Sequence, residues 1–199
     1  MIYYVNGYGV PGDIFSDENY QTYLIACLSP MVRSMRGQRR ILADAIFGLS
    51  GALSSTDRPV VYLAGGATNP CYSDRTEAGE MLRWAEHNGF GDKFDFRLID
   101  QPSDLQGNLR ELQRKSGRNA ELIIFCEWAR QDYMRFLVDR LFVNARVVPI
   151  RFDAGMNWLS RPRQLLRLPV KVAGYYSPTI RELIQLPLRR RFMRRQARP

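Results

Sequence analysis

The sequence predicts a three-layer, doubly wound α/β domain whose mainly parallel, five-stranded sheet carries helices on both faces. Two observations predict this fold. Short runs rich in β-branched and aromatic residues alternate with longer segments of helical periodicity, which is typical of βαβ units. The chain of 199 residues, 45% of them hydrophobic, is also long enough to bury the core that such a sheet requires.

The predicted strands lie at residues 2–8, 59–64, 94–99, 121–126 and 145–152. The intervening segments predict helices at 19–33, 38–49, 76–87, 103–115 and 130–142. Within the fourth of these, Leu105, Leu109 and Leu112 recur at helical spacing and mark the face that packs on the sheet. Pro30 and Gly37 disfavour helix, so the first connection is predicted as two helices.

Residues 1–152 are therefore predicted to form an α/β ligand-binding domain, and residues 153–199 a C-terminal extension. The pattern is irregular from 154 to 178, and this segment either covers a pocket or mediates self-association. A last helix is predicted from Pro178 or Thr179.

The formal net charge of +9 is concentrated at the C-terminus. Without the six arginines from Arg189 to Arg198 the net charge falls to +3, so the rest of the chain is only mildly basic. The basic tail favours a role as an adapter that docks on nucleic acid or on an anionic membrane surface. This is one of the two candidate functions of the chain.

The cysteine and histidine content indicates a reducing compartment and predicts no metal site. Cys27, Cys71 and Cys126 are widely spaced and odd in number, which disfavours a disulfide framework. His87 is the one histidine of the sequence, so an ordinary zinc site lacks ligands. Neither a secretory leader nor a membrane-spanning run is recognised, and the expected location is the cytoplasm.

The exits of the predicted strands carry the candidate site, because ligands of open parallel sheets bind beyond the carboxyl ends of the strands. Glycine there lets backbone approach a ligand, and the amides that open a following helix can hold an anion. A carboxylate directly after an apolar strand needs a partner. The candidate catalytic or ligand-orienting residues are Glu77, Asp100 and Glu127, and the candidate ligand-binding residues are Gly7, Tyr8, Gly9, Gly65, Gly66, Thr68, Ser73, Thr76, Ser103, Asn108, Arg110, Trp128, Arg130 and Arg135.

Several of these residues have a purely structural alternative. Ser73, Thr76 and Ser103 are also suitable helix caps. Asp100 and Glu127 are expected at neighbouring strand exits, where nearby arginines make either a mixed-charge pocket or a ring of surface ion pairs. Trp128 and Tyr8 are candidates for stacking on a flat ligand such as a base. The chain contains no GxxxxGK[ST] loop, so the sequence does not support a P-loop.

The order of these motifs resembles the YdcF/SanA/ElyC-type family, bacterial α/β proteins of poorly defined function. That family has a Gly-rich strand end, a Ser-Glu-Ala helix start, an acid with a Ser-x-x-Thr-x-x-Asn segment, and a strand ending in Thr-Ser with His and Arg downstream. Over roughly residues 1–152 the counterparts are Gly65-Gly66, Thr76-Glu77-Ala78, Asp100 with Ser103 and Asn108, and Cys126-Glu127 with Arg130 and Arg135. Gln106 and Cys126-Glu127 stand where the family has Thr and Thr-Ser.

Members of that family include membrane-anchored proteins tied to the cell envelope and a soluble protein that binds S-adenosylmethionine. The resemblance implies a protein of the soluble kind, with S-adenosylmethionine among its candidate ligands. Taken together, the first predicted function is binding of a small anionic, phosphorylated or nucleotide-like ligand at the carboxyl edge of the sheet. No residue set in the sequence defines a reaction.

Overall fold

The computed structural model describes residues 1–7, 14–46, 58–67, 74–101, 104–151 and 160–183, with side chains described only to residue 33 in the first helix and from residue 161 in the last range. It confirms the predicted α/β fold. The strands are β1 (Ile2–Asn6), β2 (Val60–Ala64), β3 (Asp95–Ile99), β4 (Leu122–Glu127) and β5 (Ala145–Ile150). The helices are α1 (Glu18–Ile46), α2 (Glu77–His87), α3 (Leu105–Ser116), α4 (Gln131–Leu141) and α5 (Ser160–Tyr176).

The five strands pair in the order β3-β2-β1-β4-β5, and every pairing is parallel. In register, Val5 of β1 lies opposite Leu63 of β2 on one side and Phe125 of β4 on the other. The strand order therefore reverses at β1, which is the position where ligands bind in doubly wound folds. Because the strands are parallel, all five exits lie at one edge of the sheet.

Each face of the sheet has its own hydrophobic core. On one face Tyr3, Val5 and Leu63 pack with apolar residues of α1 and α2. On the other face Tyr4 and Ile124 pack with apolar residues of α3 and α4. Burial of alternate strand residues on opposite faces is the expected consequence of the pleat, and it produces the three-layer arrangement.

Helix α1 is continuous, so the prediction of two helices in the first connection is wrong. Pro30 lies inside it. A proline there removes one hydrogen bond and crowds the preceding turn. Burial outweighs that cost, because Cys27 and Leu28 before the proline and Met31 after it are all buried against the same face of the sheet. Asp17 begins the helix by accepting a hydrogen bond from the Tyr20 amide at 2.9 Å.

The C-terminal extension contains α5, a helix within the segment whose pattern is irregular in the sequence. Pro162 falls in the first turn, where no amide donor is needed, and Pro169 lies in the interior. The helix packs against α4 and against the 3₁₀ turn Trp128–Arg130 that follows β4. Residues 178–183 are helical, and the Ser177 hydroxyl accepts a hydrogen bond from the Ile180 amide, which confirms the predicted start of the last helix.

Within the described ranges, no helix has the length and apolar content that crossing a membrane requires.

Candidate functional site

Two groups of polar residues stand at the exit edge of the sheet. One lies over the ends of β1 and β2 and centres on Glu77. The other lies at the end of β4 and centres on Glu127. Gly7 directly follows β1, and Gly7 and Glu127 each lie two residues beyond the registered pair Val5–Phe125. The strand order thus brings the two groups to adjoining strands.

Glu77 is the first residue of α2 and is only 5% exposed. Its carboxylate fills the space over two glycines. An added Cβ on Gly7 would lie 2.2 Å from Glu77 Oε2, and one on Gly65 would lie 2.4 Å from the same oxygen. Glycine at both positions lets the backbone and Glu77 approach each other closely, and the approach is tightest at Gly65, where an added Cβ would also lie 2.5 Å from Glu77 Cβ.

The first amides of α2 are engaged within the chain. Glu77 and Ala78 donate to the carbonyls of Gly66 and Gly65, at 3.2 and 3.0 Å. Thr76 caps the helix, because its hydroxyl accepts from the Gly79 amide at 3.1 Å and its carbonyl accepts from the Glu80 amide at 3.0 Å. The structural alternative for Thr76 is therefore confirmed, and this helix start offers no free amide to an anion.

Asn6 is a buried polar residue at this edge that the sequence analysis did not single out. Its Oδ1 accepts from the Tyr4 hydroxyl at 3.0 Å, and its Nδ2 donates to the Gly7 carbonyl at 2.5 Å. The Tyr23 hydroxyl donates to the Asn6 carbonyl at 2.5 Å, which ties α1 to the end of β1. Burial, Cys126 and Glu77 together hold the pKa of Tyr4 well above its usual value. The sequence feature that could have identified Asn6 is its position as a polar residue at the end of an apolar strand.

Asp100 and Glu127 do not stand at neighbouring exits. Asp100 follows β3, an edge strand, and β2 and β1 separate it from β4. Three strand spacings amount to about 14 Å. The expectation of one pocket between these two acids is therefore wrong, because strands that are consecutive in the chain are not consecutive in the sheet.

Glu127 ends β4 and is 5% exposed. Its Oε2 lies 3.0 Å from Nε of Arg130, one helical turn further along. The two charges are close, yet Oε2 accepts no hydrogen bond in proper geometry from any part of the chain that the structure describes. Burial raises the pKa of Glu127, and the charges of Arg130 and Lys171 oppose that rise.

Helix α5 adds cations that the sequence analysis left out. Burial, together with Arg130 and Arg167, lowers the pKa of Lys171 to about 8. Its Nζ donates to Gln164 Oε1 at 2.6 Å. The guanidinium carbon of Arg161 lies over the Trp128 ring, 4.5 Å from its centroid. Nη2 of Arg161 lies 3.7 Å from Asp132 Oδ2. No sequence signal linked these residues to β4, because the contact depends on how α5 docks.

The guanidinium of Arg151, just after β5, also lies over Trp128, 5.0 Å from the ring centroid. The half-buried Trp128 ring thus already has two cation–π contacts, which occupy surface that a stacked base would need. We call this group the β4-exit cluster: Glu127, Trp128, Arg130, Asp132, Arg151, Arg161, Arg167 and Lys171.

The β4-exit cluster holds five cations and two carboxylates, a surplus of positive charge beside a partly dry surface. Three of its polar atoms are buried without a hydrogen-bond partner in the described ranges: Glu127 Oε2, Asp132 Oδ2 and Arg161 Nε. Although ion pairs with Arg130 and Arg161 balance the charges of the two carboxylates, buried polar atoms without a well-aligned hydrogen bond cost stability, and a bound group can satisfy them. The cluster can therefore hold an anion and also accept hydrogen bonds from hydroxyl groups.

The other predicted residues are spread around this edge. Asn108 is buried near the start of α3, and its Oδ1 has no partner among the described residues. Arg110 is exposed and lies 5.9 Å from the ring of Tyr175 on α5. Arg135 is exposed on α4. The N-cap of α3 is Asp104, so the expectation that Ser103 caps this helix is wrong.

Five predicted site residues, Tyr8, Gly9, Thr68, Ser73 and Ser103, and the tail from Arg189 to Arg198, lie outside the described residues. They remain predictions.

A cavity of about 550 Å³ lies at the opposite edge of the sheet, where β2 and β3 begin. Arg58, Glu86, Phe94 and Phe96 are among the residues that line it. It is wide open, and none of the residues predicted for the site lines it. The chemistry at the exit edge, rather than the size of this depression, therefore defines the candidate site.

Comparisons of the chain with protein-family models, with curated proteins and with solved structures found no match. The resemblance to the YdcF/SanA/ElyC-type family therefore stays a prediction, and the function is argued from the site itself.

Proposed function

We propose that the protein binds a small phosphorylated ligand at the β4-exit cluster. The observation that carries the proposal is the surplus of cations around the half-buried exit of β4, at the edge where strand order reverses. An uncompensated set of cations beside low-dielectric surroundings attracts an anion more strongly than the same charges in water.

Arg130 and Lys171 are the principal anion-binding groups in this proposal. Arg130 stands beside the buried Glu127, so part of its charge is balanced, whereas Lys171 has a protein oxygen partner in the neutral Gln164. Burial that lowers the pKa of Lys171 means that the folded chain does not fully stabilise its charge. A phosphoryl group would supply the missing negative charge.

The same ligand carries hydroxyl groups. Glu127 Oε2 and Asp132 Oδ2 accept no hydrogen bond from the described residues, and a carboxylate that is already ionised can only accept. A sugar phosphate or nucleotide offers both an anion for the cations and hydroxyl donors for these oxygens. S-adenosylmethionine, with its cationic sulfonium, suits the excess of positive charge less well.

The experiment is a thermal-shift and calorimetric screen with inorganic phosphate, ribose 5-phosphate, adenosine monophosphate and S-adenosylmethionine. A ligand that binds only the folded chain raises the melting temperature by mass action. We expect a shift with the phosphorylated sugars and a smaller one with inorganic phosphate. Arg130→Gln should weaken binding about tenfold to hundredfold, since a charge-assisted hydrogen bond contributes about 1.5–3 kcal/mol.

Arg118→Gln is the matched control. Arg118 is exposed on the turn that leads into β4, and this substitution makes the same change in net charge. Glu127→Gln should act in the opposite direction to Arg130→Gln, because it removes the negative charge nearest to Arg130 and strengthens anion binding. Equal loss in Arg130→Gln and Arg118→Gln, or no shift with any phosphorylated probe, would refute the proposal.

A further inference from the structure

Helix α5 exposes an apolar side to solvent, which is unusual for a surface helix, while its inner side mixes polar residues with the partly buried Leu168 and Val172. Gln164, Lys171 and Tyr175 are partly buried on the side that faces α4 and the β4-exit cluster. On the outer side, Leu166 is 80% exposed, Tyr176 65% and Val170 52%.

The outer side of α5 is a continuous apolar face. At the rotation of 100° per residue of an α-helix, its members fall within an arc of about 140° that contains no charged residue. We call this the α5 outer face: Pro162, Leu165, Leu166, Pro169, Val170, Ala173 and Tyr176. Single exposed apolar residues are common on proteins, but a whole exposed face marks a surface that something covers.

Positive charge borders this face and dominates the composition of the C-terminal extension. Arg163 and Arg167 lie beside Leu166 and Val170 on the helix and are exposed. Residues 154–199 contain eleven lysines and arginines against one acid, Glu182, a net charge of +10. The preceding 153 residues therefore carry a net charge of −1, so the net positive charge of the chain comes entirely from the extension.

From these observations we propose that the α5 outer face docks on an anionic lipid bilayer. An interfacial helix needs an apolar side that enters the acyl boundary and basic residues that reach the anionic headgroups beside it. The apolar side consists of Leu165, Leu166 and Val170. The basic residues beside it are Arg163 and Arg167. The helix lies along the surface, and the inner side keeps Lys171 in the β4-exit cluster.

The charge distribution favours a bilayer over the two other coverings. A second copy on this face would bring together two α5 helices, each with four cations and no acid, and their repulsion opposes such a dimer. Proteins bind nucleic acid mainly through polar and cationic contacts to phosphates and base edges. A face of exposed leucine and valine does not provide such contacts. The inference does not depend on the proposed ligand, since the apolar residues that it uses lie outside the β4-exit cluster and Arg167 is the one residue that both surfaces share.

The test is co-sedimentation of the full chain with two kinds of vesicles. One is phosphatidylcholine alone, and the other is phosphatidylcholine with 30 mol% phosphatidylglycerol. We expect binding to the anionic vesicles that weakens at high salt. Leu166→Glu and Val170→Glu should each reduce that binding about tenfold or more, because they remove apolar burial and add a repelled charge. Arg163→Gln with Arg167→Gln should reduce it by a similar factor.

Val143→Glu is the matched control, since Val143 is 62% exposed just beyond α4 and outside the α5 outer face. It should leave vesicle binding unchanged. The melting temperature and the phosphate-induced thermal shift should survive in Leu166→Glu, which separates loss of docking from loss of folding or of ligand binding. Multi-angle light scattering reports the oligomeric state, and retention on RNA reports nucleic-acid binding.

Three results would overturn the inference. The first is vesicle binding that Leu166→Glu and Val170→Glu leave intact. The second is a dimer that Leu166→Glu dissociates, with no binding to vesicles. The third is retention on RNA without any binding to anionic vesicles.

Discussion

The side chain of Glu77 occupies the volume directly over Gly65: an added Cβ on Gly65 would lie 2.5 Å from Glu77 Cβ. At Gly7, as at Gly65, the nearest atom would be the terminal oxygen Oε2, but Glu77 Cβ would be 3.0 Å away rather than 2.5 Å. The end of a flexible side chain can move aside, whereas a Cβ atom is fixed by the backbone of α2. The two glycines should therefore respond differently to the same substitution.

We predict that Gly65→Ala and Gly7→Ala each destabilise the fold by about 1–3 kcal/mol, the usual range for overpacking. Adding Glu77→Ala should restore much of the stability of Gly7→Ala, since it removes Oε2, but little of that of Gly65→Ala. Urea unfolding of the single and double variants measures both couplings. Gly91→Ala is the neutral control, because its added Cβ would make only ordinary contacts. Equal rescue at both glycines would contradict the packing described here.

Phosphate binding should weaken as pH rises through about 8. Lys171 has a pKa of about 8 because burial disfavours its charged form, so it is cationic below that pH and neutral above it. Calorimetric titration with ribose 5-phosphate between pH 7 and pH 9 measures the effect. In Lys171→Gln the loss of affinity over this interval should become small, and an unchanged pH profile would remove Lys171 from the site.

The charge on Lys171 should also cost stability. Its pKa is lower in the folded chain than the ordinary value of 10.5, so unfolding takes up a proton between pH 8 and pH 10.5. The free-energy penalty of the buried charge is therefore absent above pH 10.5, where Lys171 is neutral in both states. It grows as the pH falls and is fully present below pH 8. Lys171→Met should raise the melting temperature at pH 7, and this gain should shrink by pH 10. A variant that is less stable at pH 7 would show that Lys171 is well stabilised.

Asp104 joins α3 to the end of the described chain. Its Oδ1 accepts from the Gly107 amide at 2.7 Å, and Nη2 of Arg181 donates to Oδ1 and Oδ2 at 2.9 and 2.7 Å. Asp104→Ala should cost about 1–2 kcal/mol because it removes a helix cap. Arg181→Ala should cost less than about 1 kcal/mol, since the pair is partly exposed.

Hydrogen exchange separates the two roles of Asp104. Arg181→Ala should speed exchange in residues 177–183 and leave the first turn of α3 protected, while Asp104→Ala should speed exchange in both. Faster exchange at the start of α3 in Arg181→Ala would contradict this division.

Cys27 and Cys126 should resist thiol reagents in the folded chain. Both are buried and free, and burial raises the pKa of Cys126 to about 12 and that of Cys27 further. Because the thiolate is the reacting form, iodoacetamide at pH 8 should modify them only in denaturant. Peptide mapping by mass spectrometry gives the extent at each position, and rapid labelling of either cysteine without denaturant would contradict the packing around α1 and β4.

Local pattern predicted most of the elements of this fold. β2, β3 and β4 and the helices α2, α3 and α4 lie within two residues of the predicted limits, because each has an apolar repeat on the side that packs. The same reasoning identified Glu127, Trp128 and Arg130, since polar residues directly after a buried strand stand out against the apolar run. The same reasoning failed where it relied on the propensity of a single residue. Pro30 predicted a break, but buried residues on both sides of it keep α1 continuous.

By itself, then, the sequence determined that this chain alternates strands and helices, which strands are buried, and that their exits are polar. Only the tertiary structure decided that β1 lies between β2 and β4, that Asp100 stands three strands away from Glu127, and that α5 brings Lys171 and Arg161 to the exit of β4. The physical reason is the separation in sequence between the residues that make the deciding contacts. Apolar periodicity records how a residue sits relative to its own neighbours in the chain, whereas strand order and helix docking follow from contacts between segments far apart in sequence.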